Sequence, residues 1–369
     1  MLQDSLSLLR RMVATPSLTF EEDAVCTLVS RQFADWGIAH VRVHHNLLAL
    51  NRHSSPEKPT LMLCAHLDTV AANEGYTFDP FLPEPEKVRV ALGIDEPLIA
   101  GLGSNDDGGS VVAMTAAFRA IYEQSDLPVN VLLVLVSEEE RSGTKGANYL
   151  WESYFDSDEA QRDGIPTPDF AIIGEPTGGA VATSERGLLV IDGEAHGESG
   201  HAARNEGVNA LYIALEDIAK LCHFDFERIS PQMGRVKLSV TQISAGSAHN
   251  VIPDTCQFVI DIRPTEQYDN AEILALLQAQ CQSTLTARNL KNRSSATREN
   301  SPFWTLIAQQ GLTTYSSPTT SDWMRIPIDA IKFGPGHSSR SHRPNEYILV
   351  SEIEAAIDHY LYFIQHFSL

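Results

Sequence analysis

No Cys-x-x-Cys pair occurs in this sequence: its five cysteines, Cys26, Cys64, Cys222, Cys256 and Cys281, are scattered, most of them inside apolar runs. A thiolate-caged metal is therefore excluded, and the pattern is that of small buried side chains in a reducing compartment, read here as the cytoplasm. Any metal would have to be held by imidazole and carboxylate. Basic residues are also scarce, 27 against 48 acidic ones for a formal charge of -21, and no basic stripe offsets the balance. Such a chain repels nucleic acid and anionic membrane surfaces and suits small substrates or cations. Long apolar stretches able to span a bilayer are missing, as are internal repeats. The opening "MLQDSLSLLRRMV" suits an amphipathic helix better than a secretion signal.

What is present points to two ordinary cores. The 369 residues are more than one core usually organises, and at 43% apolar content disorder is not expected. Leu61 to Ala65, Val129 to Val136 and Phe170 to Ile173 are nearly all apolar, as strands covered on both faces are. Between them, "GGSVVAMTAAFRAIYEQS" puts Val111, Met114, Phe118, Ile121 and Tyr122 on one stripe, and the opening helix and residues 20 to 36 are similar. The middle differs. Val236, Leu238 and Val240 alternate with Lys237, Ser239 and Thr241, while Cys256, Phe258, Ile260 and Ile262 form one apolar face, so this sheet should be wetted on one side. Helix-like segments 205–222 and 270–282 would cover the other side. The expected fold is α/β: a catalytic domain with a central sheet flanked by helices, from residues 1–183 and 292–369, carrying an inserted smaller α+β, ferredoxin-like lid or dimerisation domain at 184–291. The strand in "IDAIKFGPG" and a helix near 350–366 would close the first domain.

Acidic and histidine residues recur where apolar strands end. "LMLCAHLDTV" runs into His66 and Asp68, two positions apart and so on one face of a strand. "GLGSNDDGGS" brings Asp106 and Asp107, "LLVLVSEEERSG" brings Glu138, Glu139 and Glu140, "FAIIGEPT" ends on Glu175, and "GPGHSSRSHRPNEY" supplies His337 and His342. Each group could be a cap, a turn or a solvated run when taken alone. Together they fall where an open α/β sheet binds its ligands, and three adjacent carboxylates repel unless something positive lies among them.

In these motifs the chain resembles the dinuclear zinc amidohydrolases that include acetylornithine deacetylase, succinyl-diaminopimelate desuccinylase, aminoacylase and carboxypeptidase G. The resemblance spans nearly the whole chain and rests on the ordered set His-x-Asp, Gly-x-Gly-x-x-Asp, Glu-Glu, Gly-Glu-Pro and a late histidine. It implies two Zn2+ per chain, with Co2+ able to substitute. His66 and Glu175 would bind one ion, Glu140 and His342 the other, and Asp106 both. Glu139 would be the catalytic base, Asp68 would orient His66 from behind, and His201 in "HGESGHAARNEG" would stabilise the oxyanion, often from the partner subunit of a homodimer built through the inserted domain. His196 reads as surface polarity. Asn250 and Arg263 would hold the substrate's carbonyl and carboxylate, and Ser338 and Arg340 in "SSRSH" would add polar donors beside His342. Two departures stand out. Gly108 occupies a position where many relatives carry lysine, and Glu138-Glu139-Glu140 replaces Asp-Glu-Glu, leaving the register of base and ligand open by one residue. Chain length and "GPGHSSRSHRPNEYI" look most like N-acyl-ornithine or N-acyl-citrulline deacetylases of arginine biosynthesis. The competing expectations are a succinyl-diaminopimelate desuccinylase or short-peptide metallopeptidase and, in another class, an inactive metal-binding relative.

Overall fold

The computed structural model describes residues 2–82, 85–204 and 206–368. The chain divides into two compact units, Met1–Thr183 with Thr297–Tyr315 and Ser321–Leu369, and Ser184–Ala296 with Ser316–Thr320.

The first unit is organised by a mixed sheet. In spatial order its strands include Val41–Val43, Asn46–Leu50, Asn130–Val136, Thr60–His66, Phe170–Ile173 and Asp329–Lys332. Thr60–His66 runs parallel to both Asn130–Val136 and Phe170–Ile173, and Asp329–Lys332 extends the parallel set. Side chains alternate across a strand, and here both faces are buried. Leu61, Leu63 and Ala65 join a core with Val111, Phe118, Ile353 and Tyr360 from helices Gly108–Ile121 and Val350–His366. Met62 and Cys64 join Leu150, Tyr154, Ala160 and Trp323 on the other face. That double cover is why these strands read as unbroken apolar runs. The opening helix is Leu2–Val13, and the segment expected at 20–36 is helical over Asp23–Asp35.

Helix Gly108–Ile121 departs from its sequence pattern. A single stripe was expected, yet every residue from Gly108 to Phe118 is buried. Glycine, alanine and serine fill the positions between the large side chains, so neighbours pack against the whole circumference. Gly108 shows how closely: a Cβ there would lie 2.4 Å from the Gly103 carbonyl oxygen, which leaves no room for a lysine.

The second unit holds an antiparallel sheet in the order Lys237–Ala245, Thr255–Arg263, Leu189–His196, Thr284–Ala287. Helices Ala210–Cys222 and Asn270–Gln278 share its core with Cys256, Phe258, Ile260 and Ile262. Asn209 and Asp269 cap these helices through the amides of Leu211 and Glu272. The first helix is thus shorter than the expected 205–222, and Asn205 lies outside the described residues. Strand, helix, strand, strand, helix, strand is the ferredoxin-like order.

Candidate metal centre

Parallel strands that end at one edge of a sheet deliver their next residues to one place. Thr60–His66 ends on His66, Asn130–Val136 is followed by Glu139 and Glu140, and Phe170–Ile173 by Glu175. One donor atom each from His66, Asp106 and Glu140 lie within 4.8 Å of one another. His342 joins them from a loop: its Nε2 is 2.9 Å from Glu140 Oε2 and 3.5 Å from Asp106 Oδ2. Glu175 and Glu139 line a small cavity with His66 and Asp322.

His66 is buried, and its Nδ1 lies 2.9 Å from the main-chain oxygen of Asp68. That bond puts the proton on Nδ1 and leaves the Nε2 lone pair facing Asp106 Oδ1 at 3.2 Å. Two lone pairs at that distance repel unless a cation or proton lies between them. Asp68 therefore does sit behind His66, but through its carbonyl, since its carboxylate is farther from the ring at 3.6 Å. The carboxylate serves a different purpose. It accepts the amides of Glu139 and Glu140 at 3.0 and 3.1 Å and the Thr19 hydroxyl at 2.9 Å. It thereby fixes the turn that presents both glutamates.

Within the triple glutamate the three side chains diverge. Glu138 takes a left-handed backbone (φ 63°) and its carboxylate accepts the Lys145 amide, turned towards its own loop. Glu140 meets His342, and Glu139 faces the cavity. Ser338 is exposed in a single helical turn, and Arg340 is engaged: both its terminal nitrogens pair with Glu352, at 2.7 and 2.9 Å, and its plane lies over Tyr347.

His201, Asn250 and Arg263 belong to the second unit. His201 is exposed on a two-residue strand beside Val251, with Nδ1 accepting the Ala203 amide. Asn250 is also exposed, and its carbonyl accepts the Ala202 amide. Arg263 pairs with Asp261, two residues earlier on the same strand. His196 is exposed, 3.7 Å from Glu194.

Sequence reasoning missed Glu346 and gave no role to Asp107. Glu346 is buried and accepts the amides of Gly103, Asn105 and Asp106 at 3.2, 2.8 and 2.9 Å, holding the loop that carries Asp106. Asp107 accepts the His66 amide. Neither sits after an apolar strand, so no pattern singled them out.

Charge balance bears directly on whether cations fit. Burial pushes Glu139 well above the usual carboxylate range, with Glu175, Asp322 and Glu140 adding to it against His66. Burial and then the Asp106 charge do the same to Glu175 and bring Glu346 up to about 8, and burial takes Asp107 to about 7. The imidazoles respond in the opposite sense. His342 is pushed up to about 9, chiefly by its bond to Glu140, and His66 is held well above its ordinary value by Asp106 and Asp68 although burial opposes this. A pocket that strains to gather protons has an excess of negative charge. Imidazole and carboxylate donors without thiolate fit divalent ions of the zinc kind, and His66, Asp106 and Glu140 form a candidate group for one.

Comparison with known proteins agrees with this chemistry. Residues 62–366 match the family described as Peptidase family M20/M25/M40. Over 99% of its length the chain is 26% identical to a succinyl-diaminopimelate desuccinylase of Xylella fastidiosa, covering 98% of that protein. It is equally 26% identical over 99% of its length to an acetylornithine deacetylase of Proteus mirabilis, covering 97% of it. In three dimensions it superposes on the YXEP protein of Bacillus subtilis, a dinuclear metal binding peptidase from the M20 family, with a TM-score of 0.71 at 14% identity, over 100% of this chain and 99% of that one.

Proposed function

Because the chain belongs to peptidase family M20/M25/M40 and is a metal-dependent amide hydrolase, we propose that it deacylates an N-acyl amino acid, N-acetyl- or N-succinyl-ornithine or -citrulline, in arginine biosynthesis. The observation that carries this reading is Glu139, a carboxylate outside the donor group that opens on the same cavity as His66 and Glu175. In this reading His66 and Glu175 would hold one Zn2+, Glu140 and His342 the other, with Asp106 serving both, and Co2+ could substitute. When bound, the ions supply Lewis acidity that polarises the acyl carbonyl and acidifies water.

The remaining steps belong to side chains. Glu139 takes the proton of the attacking water onto a carboxylate oxygen and passes it to the departing nitrogen, since an amide anion is a very poor leaving group. Glu139 must be ionised to take that proton, and cations bound beside it would offset the burial and the like charges that raise its pKa. Asp68 keeps Glu139 and Glu140 in place through their amides. His201 donates to the oxyanion, a contribution of about 3 kcal/mol if it equals one ordinary oxyanion-hole donor. Asn250 binds the carbonyl, Arg263 exchanges Asp261 for the substrate carboxylate, and Ser338 donates at the rim. Arg340, paired with Glu352, braces that rim. The chain acts as a homodimer through residues 184–291, with His201 supplied across the dimer.

Purified zinc-loaded protein should release ornithine or citrulline from the N-acyl compounds faster than it cleaves succinyl-diaminopimelate or dipeptides. Preference for either of the latter would transfer the same machinery to a desuccinylase or peptidase. Two zinc ions per chain with no turnover of any amide would replace the enzyme with a binding protein. Mixing His201→Ala and Glu139→Gln subunits should restore activity that neither has alone, and its absence would refute donation across the dimer.

A further inference from the structure

The loop that carries His342 is built unlike the strand ends. His342 and Asn345 both take left-handed backbone, φ 58° and 65°, a conformation uncommon outside glycine that asparagine and histidine adopt more readily than most residues. The His342 side chain is 54% exposed, so packing does not fix its ring. Its place therefore depends on how its backbone is held.

Residues 73–77 hold it. Asn73 Nδ2 donates to the His342 carbonyl at 2.6 Å, and the Thr77 amide and hydroxyl donate to Asn345 Oδ1 at 2.8 and 3.1 Å. Gly75, at φ 114°, sits beside Pro344, whose ring would be in ordinary van der Waals contact, at 3.4 Å, with a Cβ placed there. The segment is anchored in turn, because Phe78 packs with Val88, Leu98 and Tyr347 in a small separate core, and the Pro80 carbonyl accepts the Leu102 amide. Asn73 is exposed and contributes nothing to either large core.

We propose that Asn73 is a positioning residue for His342, and that residues 73–77 act as a clamp keeping this loop-borne ligand aimed at Glu140 and Asp106. The inference rests on reading the cluster as a two-metal centre. Without the Asn73 donor, the His342 carbonyl turns to solvent, the left-handed backbone relaxes, and Nε2 leaves the cluster, while the buried His66 is untouched.

Titrating Co2+ into the metal-free full-length protein, followed by its visible absorption, separates the two equivalents. Asn73→Ala should weaken one equivalent by about tenfold to a hundredfold, the range for partners that orient a ligand, and leave the other unchanged. Asn73→Asp keeps the shape but lacks the donor, so it should match the alanine variant. The melting temperature of the metal-free variants should equal that of the parent. Parent-like titration of both variants overturns the clamp, and so does equal weakening of both equivalents with a lowered metal-free melting temperature. A parent that takes up fewer than two equivalents overturns the two-metal reading itself, and the clamp with it.

Discussion

Glu139 in the first unit and Asp217 in the second are acidic groups withdrawn from water, and they shift in opposite directions. Burial alone would raise both. At Asp217 it is outweighed by the Ser283 amide and hydroxyl, each 2.7 Å from Oδ2, with Lys220 at 3.4 Å, and the pKa falls. At Glu139 burial is joined by the charges of Glu175, Asp322 and Glu140, and the pKa rises. A carboxylate supplied with donors by its own fold is a structural part. A group of carboxylates left in excess is completed from outside, by protons or by cations, and the candidate donor group lies among them.

The largest effect that could break this distinction belongs to Glu139. Glu139→Gln should lower kcat by roughly 10^2- to 10^4-fold, the usual contribution of a general base, with metal content unchanged on elemental analysis. Near-parental turnover would remove Glu139 from the mechanism. Next in size is the pH response of chelated protein. A carboxylate raised to about 7 or 8, as Asp107 and Glu346 are, keeps its proton in the folded state over a range where the unfolded chain has lost it. The unfolded state then binds fewer protons, so stability falls as pH rises from about 5 to 8, by about 1.4 kcal/mol per pH unit for each group in its interval. His342, raised to about 9, carries the same sign: its stabilisation is complete below the ordinary imidazole value and is lost as pH rises through the raised one, so it too falls with pH. Melting of chelated protein should therefore drop between pH 5.5 and 8, and divalent metal should flatten the curve. A rise would contradict the charge excess.

Asp68 sharpens the comparison, because it stands beside the cluster yet is bonded in the manner of Asp217. Its pKa is lowered: burial would raise it, but the nearby His66 ring, the Thr19 hydroxyl and the Glu139 amide outweigh that. Asp68→Asn should cost about 3 kcal/mol, as expected when hydrogen bonds to a buried charge are lost, and also reduce turnover by loosening Glu139 and Glu140. The smallest effect is expected for Asp217→Asn, about 2 kcal/mol by the same reasoning, with kcat intact. Its stabilisation is present above the ordinary carboxylate value and is lost as pH falls through the lowered one, the reverse of the cluster. A kcat that fell with Asp217→Asn would show the two environments to be coupled.

Much of the arrangement was legible beforehand wherever a candidate donor follows a strand. His66, Glu140 and Glu175 could be found because an apolar run that stops at a polar residue marks both the strand and its end. The alternation of Cys256, Phe258, Ile260 and Ile262 likewise announced a sheet with one wet face, and all four are buried. Legibility failed where the deciding partner is distant. Arg340 reads as a free donor until Glu352 is seen to hold it. Glu346 draws no notice until three amides of the Gly103–Asp106 loop are seen to converge on it. Nor did the stripe of helix Gly108–Ile121 disclose that its other faces are buried too.

Sequence by itself determined the strand-and-helix alternation, the family and the kinds of donor atom, because apolar periodicity and side-chain chemistry act over a few neighbouring residues. Only the tertiary structure decided that the Asp68 carbonyl, and not its carboxylate, bonds to the His66 ring. The same holds for which of three consecutive glutamates turns away, and for the meeting of Asn73 with His342. Those outcomes depend on bonds a few ångströms long between residues far apart in the chain, and no local pattern records the distance.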